Sequence, residues 1–346
     1  MNIVVVRLSA IGDCCLVLPL VRAILQQNPY IKIDWLIGKA AYQLLQYSTH
    51  PRLNYRVIDK PNSVSDYRSI YKLFKGKNID AVLAMQASTR ANLICPCIKA
   101  PKKIGFDKSR ARELQWLWTN QRIDFKQQHL HDSFCQFADA LGLAASVNNQ
   151  DWQIKLAPDH AELLKKFSLP KNYLVINPAA SKLERCWRAE SYAELIDWLY
   201  QEYQINVVLT GAAQDFELAL VEEIMQRVQS KPINLLAKTN LPELAVILKH
   251  AQLLIAPDTG PVHIANGVGT HVIGLYAVVS SRLSGPYLHQ ELVLDKFEQA
   301  VAEILNEDPQ RIPWRTRVHD RAAMDLIQVE EVQQKVASVL ASNKSN

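Results

Sequence analysis

The chain has 346 residues, which at roughly 150 residues per domain means about two domains with substantial cores. Hydrophobic residues make up 49% and charged residues 21%, an ordinary globular balance that excludes a disordered, collagen-like or low-complexity chain. Lys and Arg number 39 against 34 for Asp and Glu, a net charge of +5 that permits an anionic substrate or membrane surface and does not demand nucleic acid. The six cysteines show no paired CxxC spacing, so they read as free thiols in a reducing compartment rather than as a zinc site. No apolar run approaches the ~20 residues of a membrane span. Arg7 and Asp13 interrupt the apolar start, and no small-residue cleavage site follows. A cytoplasmic location is expected, with room for peripheral contact with a membrane.

Ile3 to Val6 is a continuous apolar run, as expected of a strand buried on both faces of a parallel sheet. A polar turn follows, and then a helix patterned by Leu16, Leu20, Val21, Ile24 and Leu25. Ile33–Ile37, Val57-Ile58 and Ala81–Ala84 read as further strands, with a helix near 64–75. The pattern weakens over 143–172, where an Asn-rich segment, Pro158 and Pro170 bracket a charged helix. Beyond it the alternation restarts. Strands are expected at Leu174–Asn177, Val207–Thr210, Ile233–Leu236, Leu253–Ala256 and Val272–Tyr276. Helices are expected at 190–202, 215–229, 241–250 and from about 261; 277–296 reads as irregular and 327–342 as a final amphipathic helix. The fold class is therefore α/β, with two doubly wound parallel-sheet domains. Residues 1–157 form the first, 158–172 a linker, 173–325 the second, and 326–346 a terminal helix that packs back on the first domain.

In such sheets chemistry lies beyond the carboxyl ends of the strands. Four clusters sit there. Arg7-Leu8-Ser9-Ala10-Ile11-Gly12-Asp13 places a carboxylate where it either accepts a proton from a hydroxyl or caps the first helical turn, and the residues alone do not separate these. Pro257-Asp258-Thr259-Gly260-Pro261-Val262-His263 runs from a strand into a helix. The Thr259 and Gly260 amides and the positive helix end make an anion site, in preference to a purely structural turn. After strand 174–177, Ser181, Lys182 and Arg185 offer a hydroxyl and two cations for phosphate, with solvated loop charges as the equal alternative. In Thr210-Gly211-Ala212-Ala213-Gln214-Asp215, after the next strand, the glycine and small residues leave room for a base or ribose. Lys99, Lys102, Lys103, Lys108, Arg110 and Arg112 form a basic run with Phe106, Trp116 and Trp118, read equally as a headgroup-binding patch and as a solvated face. No P-loop, HExxH or GxSxG occurs, and Gly267-x-Gly269 follows a helix, so it is not a dinucleotide fingerprint.

The pairing of Arg7-Leu8-Ser9-Ala10-Ile11-Gly12-Asp13 with Pro257-Asp258-Thr259-Gly260-Pro261-Val262-His263-Ile264-Ala265 resembles glycosyltransferase family 9, the ADP-heptose:lipopolysaccharide heptosyltransferases. The resemblance extends over nearly the whole chain, including Ala180-Ser181 and Arg185-Cys186-Trp187. It implies the GT-B fold, two Rossmann-like domains facing across a cleft, and an inverting, metal-independent transfer of heptose to the lipopolysaccharide inner core. Asp13 is implied as general base, and Ser181, Arg185, Gly211, Gln214, Asp258, Thr259, Gly260 and His263 as the donor site. Arg7, Ser9, Lys102, Lys103, Arg110 and Arg112 are expected on the acceptor side. The ADP-sugar is a substrate, so no cofactor or metal is expected. The implied partners are a nucleotide sugar, a lipid A-core oligosaccharide and an anionic membrane surface at the cytoplasmic face of the inner membrane. Transfer from another nucleotide sugar, epimerisation, and nucleotide-sugar binding without turnover are the alternatives.

Overall fold

The computed structural model describes residues 1–344, which fall into two compact units, Met1–Lys155 and the described residues from Leu156 onward. The N-terminal unit holds β1 (Asn2–Val6), β2 (Lys32–Ile37), β3 (Leu53–Val57), β4 (Ala81–Leu83), β5 (Lys102–Gly105) and β6 (Gln121–Arg122). They form one sheet in the order β3-β2-β1-β4-β5-β6, and every pairing is parallel. Ile3, Val4, Val5 and Val6 are fully buried, as the apolar run required; each such side chain contributes about 1.5–3 kcal/mol over an exposed one.

The C-terminal unit repeats the plan. β7 (Tyr173–Ile176), β8 (Asn206–Leu209), β9 (Ile233–Asn234), β10 (Leu254–Pro257), β11 (Val272–Tyr276) and β12 (Leu294–Asp295) lie in the order β12-β11-β10-β7-β8-β9, again all parallel. Read from the other edge this is the same strand order as in the first unit, the Rossmann order with its reversal between first and fourth strands. The switch points are therefore β1/β4 and β7/β10. A crevice opens at the carboxyl ends of such a pair because the connections leave it in opposite directions.

The sequence reading differs from the structure where strands are short and charged. β5 lies inside the run read as a basic surface patch, β6 is two exposed residues, and β12 falls in the segment expected to be irregular. Such strands show no apolar run because parallel pairing, not side-chain pattern, defines them. The 158–172 stretch is not a bare linker either. Its helix His160–Lys165 packs on the helix Leu241–His250, with Lys166 Nζ 2.7 Å from Glu243 Oε1. The final helix, Val329–Lys344, was expected against the N-terminal domain. Its Val332, Val336, Val339 and Leu340 instead join the C-terminal core, against the helix Ala189–Tyr203 and β11. A heptad-like apolar stripe says that a helix packs, not on what. Residues 345 and 346 of that predicted segment lie outside the described ones.

His271, immediately before β11, and His289 stand with ring centroids 5.2 Å apart. Burial, and then the His271 charge, pushes the His289 imidazole down to about 4. The unfolded chain thus takes up this proton first as pH falls below about 6.5, so the stability due to neutral His289 is lost between there and about 4. Thermal or urea unfolding across that window is expected to show a slope shallower by up to about 1.4 kcal/mol per pH unit in His289→Asn than in the parent. Equal slopes would remove His289 from the acid response.

Candidate active site

In the N-terminal unit, the loop between β1 and the helix Ile11–Gln27 carries the first cluster. An Arg7 Nη2 donates to Asp13 Oδ2, and Arg7 Nη1 donates to the Met85 carbonyl just past β4. The guanidinium also lies 5.4 Å from the Phe134 ring centroid, on the helix Leu130–Asp139. Gln86 closes the other side: its Oε1 accepts the Leu8 and Ser9 amides at 2.8 and 3.1 Å, and its Nε2 reaches Ser9 Oγ at 3.3 Å. The cluster therefore bridges β1 and β4, at the switch point. Asp13 is the third residue of its helix and also accepts the Ala10 amide at 3.4 Å. Capping and chemistry are not exclusive: both contacts fall on Oδ2, and the side chain stays one-quarter exposed.

The β7/β10 switch point of the C-terminal unit carries the second. The loop after β7 is pinned by Asn177 Nδ2 on the Ala179 carbonyl (2.8 Å), the Ala180 backbone N–H on Cys186 Sγ (3.3 Å), and Trp187 Nε1 on the Ile327 carbonyl (3.0 Å). This anchoring holds Arg185 in a buried position, where Nη1 lies 3.1 Å from Asp258 Oδ2. Its Nε is buried without a hydrogen-bond partner among the described residues. Asp258 Oδ1 accepts from Ser284 Oγ at 3.1 Å. Burial pushes the Asp258 carboxyl up, while Arg185, Ser284 and Arg317 pull it back down. Asp258 immediately precedes Thr259, the extended residue at the cap of the helix Gly260–Val268, whose start carries no side-chain cap. Pro261 is the second helical residue, not the first as the sequence reading had it. His263 is buried one turn in, and Gly269 closes the helix with φ +80°, which accounts for the Gly267-x-Gly269 spacing.

Two glycines behave differently. A Cβ on Gly260 meets nothing within 4 Å, so the fold does not require glycine there; a side chain would only fill the open space over the helix start. A Cβ on Gly211 would lie 2.5 Å from Leu236 Cδ1. Gly211 is a packing position, and Gln214 beside it is exposed. Glu217, which the sequence does not single out, is buried, accepts the Ala212 amide at 2.7 Å, and is pushed up by burial. Its signal was a carboxylate three residues after Gln214, on the inward side of the first turn of the helix Asp215–Arg227.

The other expected residues divide. Ser181 is exposed. Lys103 Nζ donates to the Cys95 carbonyl at 2.8 Å, and Arg110 is buried, bound to Asp107 and to the Asp124 carbonyl. Lys102 is half-buried on β5, and Arg112 is exposed. The basic run is thus not one solvent-facing patch, because strand pairing turns part of it inward. Among the described residues no group of three or more His, Cys, Asp or Glu side chains is placed to hold a metal ion, and no helix is long and apolar enough to cross a membrane.

Two Rossmann-type units, each with polar residues gathered at its switch point, define the GT-B class of glycosyltransferase fold. The glycosyltransferase family 9 (heptosyltransferase) model matches residues 67–310, and the chain belongs to that family. It is 34% identical to the lipopolysaccharide core heptosyltransferase OpsX of Haemophilus influenzae, over 96% of this chain and 94% of that one. Among solved structures it resembles a family 9 glycosyltransferase from Veillonella parvula (TM-score 0.80, 21% identity, 99% and 97% of the two chains). It also resembles the E. coli heptosyltransferase WaaC with ADP (TM-score 0.65, 20% identity, 98% and 97%).

Proposed function

We propose that this enzyme transfers a heptose from ADP-heptose to the inner core of lipopolysaccharide, with inversion and with Asp13 as general base. The observation that carries the donor half is Arg185, buried against Asp258 beside an uncapped helix start, with one N–H still unpartnered. Burying a guanidinium is costly unless its hydrogen bonds are met, and a diphosphate meets them. ADP as the nucleotide is supported by relatives whose names record heptose transfer and bound ADP.

In the proposed step the acceptor hydroxyl attacks the anomeric carbon while the bond from that carbon to the diphosphate oxygen breaks. Asp13 takes the hydroxyl proton, and the leaving ADP carries the bonding pair. The added charge falls on groups already oriented: the amides of Thr259 and Gly260, the positive end of the helix Gly260–Val268, and Arg185. His263 and Ser181 are assigned to the same donor site. Glu217, rather than Gln214, is assigned to the ribose hydroxyls, because a buried carboxylate is a strong fixed acceptor. On the acceptor side Arg7 holds the base in place, with Ser9 and Gln86 shaping the loop. The acceptor is a lipid-borne phosphorylated oligosaccharide, which sets the work at the cytoplasmic face of the inner membrane.

Mass analysis of products from ADP-heptose and truncated core acceptors, in excess EDTA, tests the reading: one heptose added per acceptor is expected. Addition of a different sugar, or dependence on a metal, overturns the corresponding part. Gly260→Ala separates site from fold. The substitution meets open space and improves helix propensity, so the melting temperature is expected to hold or rise slightly. ADP affinity is expected to fall about tenfold as the methyl group crowds the diphosphate. Unchanged affinity would place the diphosphate elsewhere.

A further inference from the structure

Along the chain, exposed large apolar side chains among the described residues gather most closely at Leu114, Trp116 and Leu117, which fall within four residues and are exposed by 57%, 47% and 51%. The backbone that presents them is built rather than loose. Glu113 and Leu114 both adopt left-handed conformations, φ +52° and +60°, which non-glycine residues take only when their surroundings impose it. Here the surroundings do so. Asn92 Nδ2 donates to the Arg112 and Glu113 carbonyls at 3.2 and 2.9 Å, and the Glu113 carboxylate accepts the Thr89 amide and hydroxyl.

Gln115, fully buried, is the root of the turn. Its Nε2 donates to the Ala84 and Gln86 carbonyls at 3.0 and 3.1 Å, and its Oε1 accepts the Phe106 amide at 3.0 Å. Gln86 is the residue that also holds the Leu8 and Ser9 amides. The apolar turn and the Asp13 loop are therefore fixed to the same carboxyl edge of the N-terminal sheet through two glutamines. Arg112 and Lys108 are exposed in the same segment; the one acidic side chain between Arg112 and Leu114, Glu113, is exposed as well, its carboxylate bound to the Thr89 amide and hydroxyl, so the two cations outnumber it.

We infer that the turn Arg112–Leu117 is a preformed wedge that inserts Leu114, Trp116 and Leu117 at the surface of an anionic lipid bilayer, with Arg112 and Lys108 at headgroup level. The chemistry matches. Tryptophan and leucine beside arginine and lysine partition to the interface, where apolar groups leave water while cations keep their anionic partners. Rigidity adds to this, because the side chains are already ordered before they insert. Docking here would bring the Asp13 edge of the sheet to a lipid-borne acceptor. That purpose rests on the acceptor-side reading of the N-terminal unit; the docking itself does not.

The test is co-sedimentation of the full chain with vesicles of phosphatidylethanolamine and phosphatidylglycerol, and with phosphatidylcholine vesicles, without donor or acceptor. The parent is expected to bind the anionic vesicles, and the Trp116→Ser/Leu117→Ser variant to lose about tenfold or more of that binding at an unchanged melting temperature. Lys108→Gln/Arg112→Gln is expected to lose the salt-sensitive part of the binding. Should the first variant melt early, Leu114→Asp is the substitute, because its side chain is the most exposed of the three. Parent-like binding by a folded variant overturns the proposal, as does absence of binding by the parent. A parent dimer that the serine variant dissociates, with vesicle binding unchanged, assigns the wedge to self-association and overturns it too. Failure of heptose transfer leaves this result untouched, and failure of docking leaves the transfer assay untouched.

Discussion

Asp13→Asn is expected to lower kcat by about 10²–10⁴-fold while ADP affinity stays within about twofold, since general-base catalysis typically contributes that much and the groups proposed to bind the donor lie in the other unit. The variant has a second consequence. Arg7 is largely buried and loses the carboxylate that neutralises it, so some stability is lost as well. The loss is smaller than for a fully buried pair, because Asp13 is partly exposed and Arg7 keeps the Met85 carbonyl and the Phe134 face. Melting temperature and single-turnover rate separate the two effects. Arg7→Lys serves as control: it retains a cation but not the two-pronged grip, so it is expected to lower kcat less than Asp13→Asn does. A fully active Asp13→Asn enzyme would remove this residue from the chemistry and leave it a helix cap.

Arg185→Ala is expected to weaken ADP binding by about 10–100-fold, the range for deleting a charge-assisted hydrogen-bonding partner of a diphosphate. It also strands Asp258. That carboxyl is already pushed up by burial, and Arg185 is the largest influence pulling it down, so in the variant it rises further. A carboxyl whose folded value lies above its unfolded one binds its proton more tightly in the fold. The corresponding stability is present at low pH and lost as pH rises through the folded value. The variant should therefore be more strongly destabilised at neutral pH than at acid pH. Adding Asp258→Asn is expected to restore neutral-pH stability and leave ADP binding weak. Recovery of both would make the pair a structural device alone, and a calorimetric ADP affinity equal to the parent's would remove Arg185 from the donor site.

Much of the candidate site was legible because both clusters sit where an apolar run stops and a helix pattern starts, a boundary visible in the sequence itself. Asp13 and Asp258 were found that way. Glu217 was not. It lies on a helix rather than in a turn, and its inward direction follows from the packing of that helix, which no spacing in Gly211-Ala212-Ala213-Gln214 announces. The basic run hides its burial for a related reason. Whether a lysine or arginine faces water depends on the strands beside it, and β5 and β6 are too short and polar to declare themselves.

Local chemistry along the chain settled the alternation of strand and helix and the residues at the strand ends, because each depends on neighbours a few positions away. Folding in three dimensions decided what neighbours in sequence cannot. It set strand order, and with it which loops meet at each reversal point. It turned Arg110 inward and Trp116 outward within one basic segment, and it sent the last helix to the C-terminal core. Pairing partners and buried faces are chosen by contacts between residues far apart in the chain, and a short strand or an amphipathic stripe is compatible with several of them.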